Sequence, residues 1–215
     1  MRASPRYTAL IWDADGTLFD TYPGFTEGYR RALDALGCSE TDESIMALAR
    51  VSLSHATERL AERHALEEEV LAEAFQQHYS AIGPEHQLPF PGVVAICQQM
   101  VQAGGQNFIY THRGRASLEA LLDAYGMTDL FGDWVTADDE LPRKPDPAGF
   151  NRLIERHSLP RSHTLGVGDR ALDVLGAQAA GLDACYFGAE PPEGAQPQFT
   201  VARYEDLARI LFSPG

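Results

Sequence analysis

The sequence predicts an α/β fold: a Rossmann-like parallel sheet flanked by helices, with an all-helical cap inserted after the first strand. Three observations carry this. The apolar segment YTALIW (7–12) runs directly into Asp13 and Asp15. From Tyr22 to about Ser80 the pattern is helical throughout, without a credible strand. Beyond Gly92, strand-like and helix-like segments alternate with short connections, which is how a parallel sheet covered on both faces reads. The expected division is an α/β core of 1–20 and 89–215, and a cap of 21–88.

Each element follows from its own pattern. YTALIW is short, apolar and β-prone, as a buried strand should be. FTEGYRRALDAL, ESIMALARV, HATERLAERHAL and EEEVLAEAFQQHYSAI repeat apolar residues at helical spacing, which gives roughly four helices. Glu67 to Glu69 suit a helix N-terminus, where the dipole favours negative charge. GPEHQLPFPG (83–92) is rich in Pro and Gly and reads as a linker. Helix VVAICQQMVQAG, strand GQNFIYT, helix GRASLEALLDAYG and strand WVTAD come next. Helix DPAGFNRLIERHSL, strand HTLGVGD, helix ALDVLGAQAAG and strand DACYFG follow, and FTVA and EDLARILF close the chain.

Composition narrows the function classes. The apolar fraction of 44% in 215 residues is enough to bury a core. No apolar run is long enough to span a bilayer, and the opening MRASPRYT lacks the apolar stretch of a signal peptide. The chain therefore reads as soluble and cytoplasmic, without a membrane partner. A net charge of −14 disfavours nucleic acid, which requires a cationic footprint. Cys38, Cys97 and Cys185 are too few and too scattered for a disulfide framework or a zinc site, and read as buried small apolar residues. Of the 17 basic residues all are arginine except Lys144. Lysine is a compact point charge, able to approach two anions at once.

Ligands of open parallel sheets bind at the carboxyl ends of the strands. Asp13 and Asp15 follow the first strand, and Thr111, His112 and Arg113 follow NFIY. Lys144 lies beyond WVT, and Asp169 follows HTLGVG with Asp173 one helical turn on. Any one of these aspartates could simply cap a helix. Together on one edge they form a carboxylate cluster that repels itself unless a cation joins it, and hard oxygen ligands suit Mg²⁺. A carboxylate can attack phosphorus. A second one, two residues on along an extended chain, can move the proton. The sole lysine and a hydroxyl can hold phosphoryl oxygens.

On these residues the chain resembles the haloacid dehalogenase-like superfamily. DADGTLFD is similar to its first motif, Thr111 to its second, Lys144 in RKPDP to its third and GVGDRALD to its fourth, in the right order. The resemblance implies Asp13 as nucleophile and Asp15 as general acid/base. Thr111 and Lys144 would bind the phosphoryl group, with Lys144 also pairing with Asp13. Asp13, the Asp15 carbonyl and Asp169 would bind Mg²⁺, with Asp173 supporting it directly or through water. Relatives often carry Ser or Asn near the positions of His112 and Arg170. The extra basic residues Arg113 and Arg170 would contact substrate, balance the carboxylates or simply face solvent, and His112 is a further candidate for substrate contact.

Within this resemblance several chemistries are open. Asp15 argues against a dehalogenase, which usually lacks the second aspartate. A lysine-free helical block argues against a phosphonatase, which needs a cap lysine. Phe25 stands where β-phosphoglucomutase-like relatives carry histidine, leaving the mutase as the alternative. A phospho-aspartate receiver is shorter and has no cap, and an inactive binding protein would not keep every catalytic residue type. The expectation is a phosphomonoester hydrolase similar to phosphoglycolate phosphatase-like members, acting on a small phosphorylated substrate. Tyr22, Phe25 and Tyr29 on the first cap helix, and Arg50, Ser52, Ser54 and His55 in ARVSLSHA, are candidates for substrate choice. Aromatic residues at helical spacing serve equally as core.

Overall fold

The structure, a computed structural model, describes residues 6–212. Residues 1–5, read above for a leader, and residues 213–215 lie outside the described residues. The chain divides into two compact units: one takes in the chain up to Phe19 and again from Pro89, the other is Asp20–Leu88.

The first unit is built on a six-stranded sheet. β1 (Ala9–Trp12) pairs in parallel with β2 (Gln106–Tyr110) on one side and β4 (Thr164–Gly168) on the other. β3 (Asp133–Val135) extends the first side. β5 (Asp183–Phe187) and β6 (Phe199–Val201) extend the second. The spatial order β3-β2-β1-β4-β5-β6 reverses direction between β1 and β4. That reversal opens a crevice at the carboxyl ends of these two central strands.

Both sheet faces are covered, and strand periodicity decides which residue goes where. Leu10, Trp12, Ile109, Leu165, Val167 and Cys185 pack with α5 (Val93–Gln102), α6 (Arg115–Ala124) and α9 (Tyr204–Phe212). Their neighbours Ala9, Ile11, Phe108, Tyr110 and Ala184 pack with α7 (Ala148–His157) and α8 (Ala171–Ala179). Because neither face is wet, the central strands lack the polar alternation of a one-sided sheet. Asn107 is a buried polar exception. Its amide accepts from Trp12 Nε1 (3.1 Å) and donates to the carbonyls of Cys97 (3.0 Å) and Leu130 (3.1 Å). All its polar atoms are thereby satisfied, which makes its burial tolerable.

The second unit consists of α1 (Tyr22–Ala35), α2 (Asp42–Val51), α3 (Leu53–His64) and α4 (Glu68–Ser80). Tyr22, Phe25, Tyr29, Leu33, Ile45, Leu60, Leu71 and Phe75 form its own core. α2 begins at Thr41, whose side chain accepts from Ser44 N, and α3 begins at Ser52, whose side chain accepts from His55 N. Ser52 alone separates α2 from α3, so one capping residue produces the break in ARVSLSHA.

Two expectations need correction. The strand read as WVTAD stops at Val135, because the Asp139 carboxylate captures the N–H (2.8 Å) and hydroxyl (3.1 Å) of Thr136 and folds Ala137–Asp139 into a 3₁₀ turn. Cys38 is only partly buried, while Cys97 and Cys185 are buried as expected.

Candidate active site

β1 ends at Trp12, and the Asp13 N–H donates to Val167 O (2.8 Å), which ties Asp13 to the end of β4 at the crevice. The chain then turns: Ala14 O accepts from Phe19 N (2.9 Å), and Gly16 takes a positive φ of 77°, a conformation that glycine adopts without steric cost. Asp15 therefore lies on a turn. Each of the two aspartates is anchored by its own cation, Asp13 by Lys144 and Asp15 by Arg113.

Asp13 is paired with Lys144. The ammonium donates to Asp13 Oδ1 (2.7 Å) and to Asp173 Oδ1 (2.8 Å), with the Lys144 and Asp13 side chains each only 1% exposed. It also lies 4.7 Å from the Tyr110 ring centroid. Two straps hold the loop bearing Lys144: Tyr110 OH donates to Pro142 O (3.2 Å), and Lys144 N donates to His112 Nε2 (3.0 Å). His112 thus acts as an acceptor for backbone. Burial, reinforced by Lys144 and Arg170, depresses its pKa to about 3, so the ring is neutral and can accept.

Asp173 follows from the start of α8. Its Oδ2 accepts from Arg170 N (3.0 Å) at the helix N-terminus, which leaves Oδ1 to Lys144. Gly168 makes room for it, since a Cβ there would collide with Asp173 Cβ. Asp169 accepts from Thr17 Oγ1 (3.3 Å), and the carbonyl of Thr17 is held by Tyr204 OH (2.7 Å). Arg170 Nη2 stands 3.9 Å from Asp13 Oδ2.

The electrostatics follow from burial. Asp13 is pushed up to about 6, chiefly by desolvation and further by Asp173, against the pull of Lys144. For Lys144, desolvation opposes the charge, but Asp13 and Asp173 outweigh it and raise the pKa. For Asp173, burial is outweighed by Lys144 and Arg170, and its carboxyl is held below the ordinary range. Asp13, Asp169 and Asp173 each bring one oxygen within 4.8 Å of the others. Among the described residues, Asp13 Oδ2 is buried without a hydrogen-bond partner. An all-oxygen donor set with an orphaned carboxylate oxygen fits a hard divalent cation.

Just after β2, Thr111 is buried and its Oγ1 accepts from Arg113 N (3.1 Å), so its own proton can go to a ligand. The Arg113 guanidinium grips Asp15 Oδ1 through Nε (3.0 Å) and Nη2 (2.5 Å). Tyr22, Arg50 and His55 belong to the second unit. There the Arg50 guanidinium lies 4.9 Å from the ring of buried Tyr22, and His55 N donates to Ser52. Tyr29 is core: its hydroxyl is engaged with Leu53 O (2.8 Å) and Thr57 Oγ1 (2.7 Å). The sequence reading missed Thr17 and Tyr110, which brace the site. Thr17 lies inside the first motif and so had a signal. Tyr110 reads as an ordinary strand residue.

A family model described as haloacid dehalogenase-like hydrolase matches residues 10–187. A curated relative from Vibrio cholerae, named phosphoglycolate phosphatase, is 29% identical and the match covers 94% of each chain. Another of that name, from Mesorhizobium japonicum, is 31% identical over 80% of this chain and 79% of its own. Among solved structures, a hydrolase from Streptococcus pneumoniae superposes with a TM-score of 0.65 at 29% identity, covering 86% of this chain and 94% of the other.

Proposed function

Because the chain belongs to the haloacid dehalogenase-like hydrolases, we propose that it is a phosphomonoester hydrolase working through an aspartyl-phosphate on Asp13. The observation that carries this is Lys144 clamped between Asp13 and Asp173 at 2.7 and 2.8 Å, with Asp13 Oδ2 left without a hydrogen bond. A lysine on one oxygen fixes the carboxylate plane and leaves the other oxygen for different work. Asp13, the Asp15 carbonyl and Asp169 would hold Mg²⁺, with Asp173, both of whose oxygens are already engaged, supporting them. When bound, the ion supplies charge neutralisation of the carboxylates and of the phosphoryl oxygens.

The residues then divide the chemistry. Lys144 and the Thr111 hydroxyl bind phosphoryl oxygens and offset the charge that develops on them. Asp13 attacks phosphorus; the new Asp13 O–P bond forms as the ester P–O bond breaks, and Asp15 delivers its proton to the leaving oxygen. In the second half, water attacks the same phosphorus. Its proton passes to Asp15, the Asp13 O–P bond breaks, and phosphate leaves with both aspartates restored. Arg170 lies on the same edge and adds positive charge toward Asp13.

The curated relatives named phosphoglycolate phosphatase make a short phosphorylated acid the first substrate to assay, beside sugar phosphates and nucleotides. The test is phosphate release from a generic aryl phosphate in the presence of Mg²⁺. Asp13→Asn should abolish release, with residual activity below roughly one part in a thousand, as loss of a covalent nucleophile requires. Chelation should do the same to the wild type. Turnover that survives either treatment contradicts the scheme.

A further inference from the structure

Resting on the reading of Asp15 as the proton-transfer group, we propose that Arg113 is the positioning residue that fixes the Asp15 carboxylate. β1 stops at Trp12, and beyond it the backbone at Asp15 is held only by an isolated bridge to Phe19, so the side chain gains its direction from a side-chain partner. The Arg113 guanidinium supplies the constraint. Its Nε and Nη2 both donate to Asp15 Oδ1, at 3.0 and 2.5 Å. Two donors of a rigid planar group on one acceptor define an approach direction that a single ammonium would not.

Arg113 is itself held at other points, one through the guanidinium and one through the backbone. Nη1 donates to Ser117 Oγ (2.6 Å) in the first turn of α6, and the backbone N–H donates to Thr111 Oγ1 (3.1 Å). The Arg113 side chain is 4% exposed and that of Asp15 18%. The arginine is therefore the interior partner and the aspartate the one that faces outward. Arg113 links α6, Thr111 and Asp15 in one chain of contacts, so phosphoryl binding and proton transfer share a frame. Of the two uses that its position in the sequence suggested, a substrate contact or balancing the carboxylates, this is the second. A group that must meet a leaving oxygen at hydrogen-bond distance loses rate steeply when displaced, by roughly a hundredfold for about an ångström.

The test is a double-mutant cycle with an aryl phosphate whose leaving group is good enough to keep Asp15→Asn measurable. Arg113→Lys and Arg113→Ala should each lower kcat by roughly 10- to 100-fold with KM within about twofold. In the Asp15→Asn background the same changes should cost no more than about twofold, because a residue acting through Asp15 has nothing left to position. Ser117→Ala should show a milder loss of the same kind. If Arg113→Ala fails to fold, Arg113→Lys, which keeps the buried charge, carries the comparison. A loss that adds in full to that of Asp15→Asn overturns the proposal, and so does a rise in KM with kcat intact, which would mark a substrate contact. An absence of any turnover by the wild type overturns the hydrolase reading, and the proposal with it.

Discussion

Lys144 shows what a single residue does when its alternatives are absent. The chain uses arginine at all its other basic positions, yet the point that must touch two carboxylates while fully buried takes the compact ammonium. His112 supports it by accepting the Lys144 N–H, and this couples the site to pH. Ordinary histidine titrates near 6.5, whereas His112 in the fold does so only near 3, because burial and the neighbouring Lys144 and Arg170 oppose its charge. Between those values the unfolded chain binds the extra proton, so the contribution of His112 to stability is complete above 6.5 and declines as pH falls toward 3. His112→Gln, whose side-chain oxygen can accept without titrating, should remove this dependence. In thermal melts across that range, the stability of the variant relative to wild type should rise as pH falls; a constant difference would refute the role. The position of His112 in the sequence suggested a ligand. Only the fold reveals that its ring is turned to backbone, since the partner lies 32 residues away.

At the scale of elements, the site depends on how closely α8 approaches the end of β4. Asp173 can reach Lys144 because Gly168 has no side chain in its path. Gly168→Ala should push Asp173 and the first turn of α8 outward, costing about 1–3 kcal/mol as overpacking does. Activity should fall with stability in a denaturation and turnover comparison; an alanine variant as stable and as active as wild type would show that the approach is not tight. The helices and central strands were legible because apolar periodicity is a local property: α1 to α4 and the buried runs ALIW and TLGVG follow from their own residues. The end of β3 was not legible. The Asp139 side chain, four positions beyond Val135, decides it by capturing Thr136, and sequence pattern alone ranks that capture no higher than continued strand. The triple bonding of Asn107 is equally invisible, since its partners come from β1, α5 and the turn before β3.

At the scale of the whole molecule, a chain of net charge −14 concentrates Asp13, Asp169 and Asp173 around one buried ammonium. Three carboxylates against Lys144 and the nearby Arg170 guanidinium still leave an excess of negative charge, which desolvation makes costly. Binding of Mg²⁺ should therefore stabilise the fold by mass action. At about 100 times its Kd the gain is about 2.7 kcal/mol, or roughly 5–10 °C in Tm for a unit of this size. Asp169→Asn should lose most of that shift in a melt at matched ionic strength, and an equal response to NaCl would reduce the effect to general screening. The edge on which these residues meet was readable from strand order and from motifs that end strands. The pairings within it were not, because Asp13–Lys144 and Asp15–Arg113 span 131 and 98 residues. The central claim is that Asp13 carries the phosphoryl group, and acid quenching during turnover followed by peptide mapping tests it most directly. A single phosphoryl group on the peptide bearing Asp13, absent from Asp13→Asn and released by hydroxylamine, is the predicted result. A phosphoryl group on any other residue, or steady turnover by Asp13→Asn, would contradict it.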